Sequence, residues 1–454
     1  MSAPLSSLPG LDWDSLHREA AGLLSAYIRI DTSNPPGNEL DAARFFQKIL
    51  AAEGIESTVH TALPGRGSIM AVLSGEGSRK PLVLLNHTDV VPVDDGPSWD
   101  VPPFSGASRD GFIWGRGALD MKGMGILELM AFLIFSRSGM KLSRDLVFLA
   151  TADEETGGTH GIEHIYGLEP LLSTAAFCIN EGGGIRFTGP RSIPCWCIGV
   201  AEKVSLRLKI TTHGRGGHGS IYRHDNPNVV LLRILSKIES MHEPPTVIPV
   251  VKEFFRNIAI AEGQDERSHF LDIEQGLTDS GFDRKFRQNG YYDAMVRNTK
   301  VITMLKSGEK INMIPVKASA YLDCRLIPGS SKEDFLGKIK DALLGEPVTI
   351  EIVDSGRESP PSPLGSPLYR AIENVASRAD PGGITAPFMM TGGSDSSFLR
   401  QKGIPCYGFV PFRLPPEEKS RVHGKNERLS LENLRNGMRL LMEIILELEE
   451  LGAP

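Results

Sequence analysis

The sequence is short of the features that mark several classes of protein. Its five cysteines include no CxxC pair, so neither a disulfide framework nor a zinc knuckle is expected. The net charge of -7 and the lack of a dense Lys/Arg run argue against nucleic-acid binding. The longest apolar stretch, 126–135, contains Glu128 and is too short to cross a bilayer. Residues 1–24 lack the basic and apolar regions of a secretory leader, so we expect a cytoplasmic protein with reduced thiols and no membrane partner.

The rest of the composition is that of an ordinary globular protein. Hydrophobic residues make up 41% of the chain and charged residues 23%. A chain of 454 residues is longer than one hydrophobic core usually serves, so two domains are expected.

Short apolar runs alternate with helical patterns in the first 200 residues. The runs at 81–86, 146–151 and 175–180 are continuous and apolar, which is typical of strands covered on both faces. A helical stretch at 123–137 follows the first run. This order predicts an α/β fold with a mostly parallel sheet between helices.

The pattern changes after residue 202. The runs 204–211 and 318–326 alternate apolar and polar residues, and a helical run at 228–242 lies between them. They predict a smaller α+β domain inserted into the larger one, whereas 243–300 gives no clear pattern. The expected limits are 1–202 for the first part of the larger domain, 203–327 for the inserted domain and 328–454 for the second part of the larger domain.

Imidazole and carboxylate side chains follow three of the predicted strands. His87 and Asp89 come directly after 81–86, Glu154 and Glu155 after 146–151, and Glu181 after 175–180. Ligands bind at the carboxyl ends of strands in open α/β sheets, so these residues are expected at one sheet edge.

Each of these residues alone has an ordinary explanation, such as a helix cap or a solvated loop. Together, several carboxylates at one edge would repel one another unless a cation were present. A mixture of His nitrogen and carboxylate oxygen without cysteine favours Zn²⁺, with Co²⁺ or Mn²⁺ as substitutes. Asp120 lies in the Gly-rich segment GRGALDMKG before the helix, and no GK[ST] follows it as a phosphate loop would require.

The ordered motifs HTDVVP, GRGALDMKG, DEETGG, NEGG, GRGGHGS and VHGKNE resemble those of a family of two-zinc peptidases and deacylases. That family includes glutamate carboxypeptidase, acetylornithine deacetylase, succinyl-diaminopimelate desuccinylase, aminoacylase and yeast-type carboxypeptidase S. The resemblance implies a catalytic domain carrying an inserted lid and dimerisation domain.

The resemblance also implies two zinc ions per subunit. Asp120 would bridge them, His87 and Glu181 would complete one site, and Glu155 and His423 would complete the other.

Catalytic roles follow from the same resemblance. Asp89 would orient His87, and Glu154 would be the general base that activates water. His218 would stabilise the carbonyl oxygen in the active site of the neighbouring subunit, which implies a homodimer. Without the resemblance, a structural histidine in a glycine-rich turn is the simpler interpretation of His218.

Substrate binding is assigned to three further positions. Asn312 and Arg325 match family positions that hold the substrate carboxylate, and Gly393 lies in a GGSD loop that would line the pocket. In an alternating strand without the resemblance, Arg325 would be interpreted as a surface charge.

These inferences predict a zinc-dependent hydrolase of amide bonds next to a free carboxylate, either a carboxypeptidase or an N-acyl-amino-acid amidohydrolase. Its substrate would be a small peptide or an N-acyl amino acid. The alternatives are a di- or tripeptidase, which must also recognise a free amine, and a binding protein that has lost catalysis. The second alternative is disfavoured because the expected base and all five expected ligands are present.

Overall fold

A computed structural model describes residues 11–93 and 99–452. Residues 1–10, part of the segment in which no secretory leader is expected, lie outside the described residues. Within the described ranges, no helix is both long and apolar enough to span a membrane. The five cysteines are all described, and they are buried and unpaired, as the sequence predicts.

The strands of the described residues form four sheets. In chain order they are β1 (Ser57–Leu63), β2 (Arg66–Leu73), β3 (Arg79–His87), β4 (Ala107–Arg109), β5 (Phe112–Trp114), β6 (Arg144–Thr151), β7 (Phe177–Asn180), β8 (Gly184–Thr188), β9 (Ile193–Glu202), β10 (Val204–His213), β11 (Gly217–His218), β12 (Thr299–Ser307), β13 (Met313–Ile314), β14 (Lys317–Leu326), β15 (Val348–Ser355), β16 (Ile384–Met390), β17 (Cys406–Gly408) and β18 (Arg428–Ser430).

The helices lie on both sides of the largest sheet and on one side of a smaller one. In chain order they are α1 (Trp13–Ile28), α2 (Glu39–Ala52), α3 (Lys122–Ser138), α4 (Ile162–Leu168), α5 (Pro227–Ser240), α6 (Pro249–Ile258), α7 (Gln264–Leu271), α8 (Ile273–Gly276), α9 (Ser280–Phe286), α10 (Gly290–Val296), α11 (Lys332–Ala342), α12 (Pro367–Ala379), α13 (Ser396–Gln401), α14 (Pro416–Lys419) and α15 (Leu431–Glu450).

The largest sheet has the order β1-β2-β6-β3-β7-β17-β9-β16, with β8 beside β9. Its centre is parallel, since β3 pairs in parallel with β6 and β7, and β7 with β17. Residues 81–87 of β3 are all buried, as expected for a strand covered on both faces. The predicted α/β fold is therefore confirmed.

Residues 243–300, which gave no clear pattern in the sequence, contain the helices α6 to α10 and pack into the core of the large domain. The Phe255 ring contacts the rings of Phe270, Phe286 and Tyr292. Phe254 contacts Phe388 of β16. This segment therefore belongs to the large domain by its packing, although it interrupts the small one in sequence.

The small domain is an antiparallel sheet with the order β12-β14-β10-β15. Helices α5 and α11 cover one face through a separate apolar core, which includes Ile234 and Phe335. Strand β15 pairs with β10 from Leu206↔Ser355 to Thr212↔Val348. The small domain therefore runs past the expected limit at 327, because its fourth strand comes from residues that follow α11.

The chain crosses between the two domains four times, and hydrogen bonds tie three of the crossings together. Lys203 Nζ donates to the carbonyls of Ala294 (3.0 Å) and Arg297 (2.8 Å). Arg297 Nε donates to the Glu243 carbonyl (3.2 Å), and Lys300 Nζ to that of Met241 (2.8 Å). The fourth crossing follows β15 and is held beside the first by a bond from the Gly356 amide to the Ser205 carbonyl (2.9 Å).

Candidate metal centre

Three adjacent parallel strands end at the same edge of the large sheet. His87 is the last residue of β3 and is in register with Thr151, the last residue of β6. Strand β7 lies on the other side of β3 and ends at Asn180. Glu154, Glu155 and Glu181 follow these ends, so the sheet topology brings them to the predicted edge.

Two groups of potential ligands share one carboxylate. His87, Asp120 and Glu181 offer atoms within 4.8 Å of one another, as do Asp120, Glu155 and His423. Asp120 Oδ1 lies 3.1 Å from His87 Nε2, and its Oδ2 lies 3.0 Å from His423 Nε2. The two oxygens of one side chain therefore face the two groups separately.

Asp89 lies behind His87 and organises the segment after β6. His87 Nδ1 is 3.0 Å from the Asp89 backbone carbonyl and 3.5 Å from its Oδ1. The Asp89 carboxylate accepts hydrogen bonds from the amides of Glu154 (3.1 Å) and Glu155 (3.0 Å) and from Asn34 Nδ2 (2.8 Å). It therefore connects the orientation of His87 to the placement of the two glutamates.

Glu154 is close to the ligand groups but belongs to neither of them. Its Oε2 is 4.0 Å from His87 Nε2. Burial raises the pKa of the Glu154 carboxyl well above its usual value, and the charge of Glu181 raises it further. A carboxyl group in this position is suited to accepting a proton near neutral pH.

The residues of both groups fit divalent cations. Among the described residues, the buried Glu155 Oε1 has no hydrogen-bond partner, although it lies 3.3 Å from His423 Nε2. Burial lowers the pKa of His87, but hydrogen bonds to Asp120 and Asp89 and nearby carboxylates raise it above its usual value. The nearby carboxylates of Asp120 and Glu155 raise the pKa of His423 to about 10. Nitrogen and oxygen donors without sulfur are typical of catalytic zinc sites.

The loop that carries Asp120 is held by Glu427, a residue whose role was not predicted from the sequence. Glu427 Oε1 accepts hydrogen bonds from the amides of Leu119 (2.8 Å) and Asp120 (3.1 Å), and Oε2 accepts one from Gly117 (3.1 Å). The left-handed backbone at Gly117, with φ of 85°, suits glycine.

Arg116 joins the same carboxylate to the loop that carries His423. Its Nη1 donates to Glu427 Oε2 (2.8 Å) and to the Gly424 carbonyl (2.9 Å), and its Nη2 donates to the His423 carbonyl (3.2 Å). Glu427 is the last residue of the VHGKNE motif, which was the only signal in the sequence that could have identified it.

A cavity of about 620 Å³ separates these carboxylates from the open face of the small sheet. Glu154, Glu155, His423, Gly393 and Arg325 line it, so the structure brings these predicted residues together.

His218 and Asn312 are not among the lining residues of the described chain. They are exposed and lie on the ribbon formed by β11 and β13, where the Gly219 amide donates to the Asn312 carbonyl (2.8 Å). The structure therefore places these two predicted residues beside each other, outside the cavity of their own chain.

The GGSD loop forms one wall of the cavity. The amide and hydroxyl of Ser394 donate to Glu202 at 3.1 and 2.6 Å. Asp395 accepts a hydrogen bond from Thr151 Oγ1 (2.8 Å), and burial raises the pKa of its carboxyl to about 7. Asp395, the last residue of the GGSD loop, therefore packs against the end of β6.

The model of peptidase family M20/M25/M40 matches residues 83–447. This range includes both ligand groups and Glu154. The chain belongs to this family.

Curated relatives of this M20 protein include amide-processing enzymes. The human N-fatty-acyl-amino acid synthase/hydrolase PM20D1 is 28% identical over 85% of this chain and 78% of its own length. The probable carboxypeptidase S-like 2 of Dictyostelium discoideum is 30% identical over 79% of this chain and 70% of its own length. The M20 chain is therefore a hydrolytic enzyme that acts on amide bonds.

Solved structures with the same fold cover almost the whole chain. The M20 metallo-carboxypeptidase Sso-CP2 of Sulfolobus solfataricus superposes with a TM-score of 0.70 at 20% identity, over 95% of this chain and 99% of its own. Human carnosine dipeptidase 1 superposes with a TM-score of 0.74 at 16% identity, over 96% and 97%. These likenesses confirm the fold.

Proposed function

We propose that this M20 protein is a zinc-dependent hydrolase that cleaves an amide bond next to a free carboxylate in a small peptide or an N-acyl amino acid. The observation that carries the proposal is that two ligand groups share Asp120, while Glu154 lies beside both and belongs to neither. This arrangement gives different roles to the adjacent residues Glu154 and Glu155.

His87, Asp120 and Glu181 would hold one zinc ion, and Asp120, Glu155 and His423 the other, with Co²⁺ or Mn²⁺ as substitutes. When bound, the two cations would polarise the scissile carbonyl and lower the pKa of water. Asp89 and the Arg116–Glu427 pair hold the ligand-bearing loops in place.

Glu154 would act as the general base. Its carboxylate accepts a proton from the attacking water and returns it to the leaving nitrogen when the amide bond breaks. The raised pKa of Glu154 supports this role because the acid form must be populated to protonate the leaving group. The presence of Glu154 and all five ligands argues against a binding protein without catalysis.

The carboxylate of the substrate would bind Arg325, whose planar guanidinium can hold a carboxylate at two points. Support comes from the position of Arg325, which lines the same cavity as Glu154. Gly393 would line the same pocket through its backbone, next to the Ser394 contact with Glu202.

The polar lining of the cavity favours a short or polar acyl group. Among the described lining residues, only Val91 and Phe398 have large apolar side chains. A buried methylene group contributes about 0.8 kcal/mol when it is transferred from water to an apolar site. Against charged walls that gain is lost, because the walls must give up hydration. The lining therefore argues against a fatty acyl chain.

We further propose a homodimer in which His218 and Asn312 serve the cavity of the neighbouring subunit. Both residues are exposed on the β11–β13 ribbon, outside their own cavity. Edge strand β12 and helix α5 expose Leu305 and Leu232 at 62% and 65%. An exposed edge strand with apolar side chains is a suitable pairing surface.

The proposed function is tested by comparing N-acetyl, glycyl and N-oleoyl derivatives of one amino acid, with metal content measured on the same sample. We expect the acetyl and glycyl compounds to have higher kcat/KM than the oleoyl compound. Glu154→Gln should keep two metal ions and lose about 10²- to 10⁴-fold in turnover. Asp120→Ala should lose metal.

Each result of that experiment decides a separate part of the proposal. Preference for the oleoyl compound would refute the polar acyl group alone. Full activity in metal-free protein would refute the mechanism. Equal loss of metal in Glu154→Gln and Asp120→Ala would refute the separation of base from ligands.

A further inference from the structure

Four charged side chains of alternating sign lie on the cavity face of the small sheet. Arg325 and Asp323 lie on β14, Arg207 on β10 and Asp354 on β15. The strand register places Arg207 opposite both Asp323 and Asp354. All four side chains line the cavity that also contains Glu154. We call this set the charged row.

The Asp323 carboxylate accepts two hydrogen bonds from one edge of the Arg325 guanidinium. Arg325 Nε donates to Asp323 Oδ1 (2.6 Å), and Arg325 Nη2 donates to Asp323 Oδ2 (3.1 Å). This two-point contact uses the side edge of the guanidinium, which is formed by Nε and Nη2. Within the described part of the chain, no hydrogen bond involves Nη1, so the end edge is free for a ligand.

The rest of the charged row compensates the charge of Asp323. Its Oδ2 lies 3.8 Å from Arg207 Nε, and Arg207 Nη1 lies 3.6 Å from Asp354. Asp323 is therefore shared between two guanidinium groups. Its negative charge is balanced before an anionic substrate arrives, which limits repulsion of the substrate carboxylate.

We propose that Asp323 is a positioning residue that fixes Arg325 with its end edge available to the carboxylate of the substrate. This inference rests on the proposed function, in which Arg325 binds that carboxylate. An arginine side chain has several rotatable bonds, and fixing them beforehand removes an entropy cost from binding. The side-edge contact also fixes the plane of the guanidinium, so a carboxylate in the cavity meets two parallel N–H groups.

The test compares Asp323→Asn with Glu351→Gln. Both substitutions remove one negative charge from the small sheet. Asp323 contacts Arg325, whereas Glu351 pairs with Lys209 and is not among the described residues that line the cavity. An asparagine side chain can accept from Nε but presents its own N–H₂ to Nη2. We expect Asp323→Asn to raise KM for an N-acetyl amino acid by about tenfold, with kcat within about twofold of wild type.

A substrate whose carboxylate is replaced by a carboxamide separates positioning from general electrostatics. We expect its KM to be unchanged by Asp323→Asn, because it has no anionic group for the end edge of Arg325. In Glu351→Gln, KM for the N-acetyl amino acid should stay within about twofold of wild type, because Glu351 forms an exposed pair with Lys209.

Three results would overturn the inference. These are equal KM changes in the two variants, a fall in KM in Asp323→Asn, and a fall in kcat with KM unchanged. If the wild-type protein hydrolyses none of the compounds, the proposed function fails, and the inference fails with it. If the wild type is active and Asp323→Asn has the same KM as the wild type, the inference about Asp323 fails while the proposed function stands.

Discussion

Glu427 shows how one side chain can hold two loops without touching a substrate. Its carboxylate binds three backbone amides around Asp120 and the guanidinium of Arg116. Arg116 in turn binds the carbonyl of His423. A buried carboxylate oxygen loses its hydrating water, so hydrogen bonds from protein donors have to replace it. A carboxylate with several such donors is therefore held firmly in place.

We expect Glu427→Gln to weaken metal binding by about 10- to 100-fold, because an amide cannot accept hydrogen bonds at both ends. The group formed by Asp120, Glu155 and His423 should lose its metal first, because Glu427 holds the Asp120 loop directly and the His423 loop through Arg116. Metal titration by calorimetry would measure the loss.

A matched control for Glu427 is Glu449→Gln. Glu449 accepts hydrogen bonds from Ser143 and from the fully buried Arg144 at the opposite end of β6. Both substitutions break a buried pair and should reduce stability by about 3 kcal/mol. Only Glu427→Gln should change metal affinity. A similar loss of metal in both variants would show that the effect comes from general destabilisation.

The positions of the candidate metal ligands could be predicted from the sequence better than the residues that hold their loops in place. His87 and Glu181 stand directly at strand ends, so their convergence follows from the order of parallel strands. Glu427 and Arg116 are 311 positions apart in the chain, and their contact depends on how two loops meet. No local pattern records such a contact.

Helix α3 is buried along almost its whole length and carries a glutamate in the core. Glu128 Oε2 accepts a hydrogen bond from Asn86 Nδ2 (2.8 Å), and Oε1 has no partner among the described residues. Burial raises the pKa of Glu128 well above its usual value. The folded protein therefore favours the neutral acid, whereas the unfolded chain ionises near 4.5.

Because the folded-state pKa of Glu128 is raised, its contribution to stability falls as pH rises from the unfolded value toward the folded value. We expect Glu128→Gln to raise Tm relative to wild type at pH 8, by more than it does at pH 5. The exposed Glu432→Gln is the control and should show no such trend. A constant difference between Glu128→Gln and wild type across this range would contradict the raised pKa.

The long elements could be predicted from periodicity, and the short ones could not. The expected helix at 123–137 is α3, and the expected strand at 146–151 is β6. Helices α7 to α10 have between four and eight residues. Such helices are shorter than the window in which a helical period can be recognised. Aromatic side chains of distant segments pack against them, as Phe388 of β16 stacks on Tyr291 of α10.

The arrangement of subunits is testable by mixing two inactive variants. In a dimer of Glu154→Gln with His218→Ala, one site would contain both intact residues if His218 acts on the neighbouring subunit. Random exchange of equal amounts makes half of the dimers hybrid, so the mixture should regain about a quarter of wild-type activity. If His218 acts within its own chain, the mixture stays inactive. Separate refolding of each variant is the control.

The limits of the small domain depend on pairings that are distant in sequence. Strand β15 joins β10 across more than 130 residues, and the segment between includes helices that pack elsewhere. Sequence patterns assign each segment to the same domain as the segments next to it in the chain. In the structure, β15 belongs to the small domain because it is hydrogen-bonded to β10, so the small domain extends beyond the expected limit at 327.

The bundle of chain crossings has a mechanical consequence. Four segments connect the small domain to the large one, and three of them are hydrogen-bonded to one another through Lys203, Arg297 and Lys300. We therefore expect a large rotation of the small domain to break some of these hydrogen bonds. The more rigid this connection is, the more closely the length of a substrate has to match the distance between the metal ligands and the charged row.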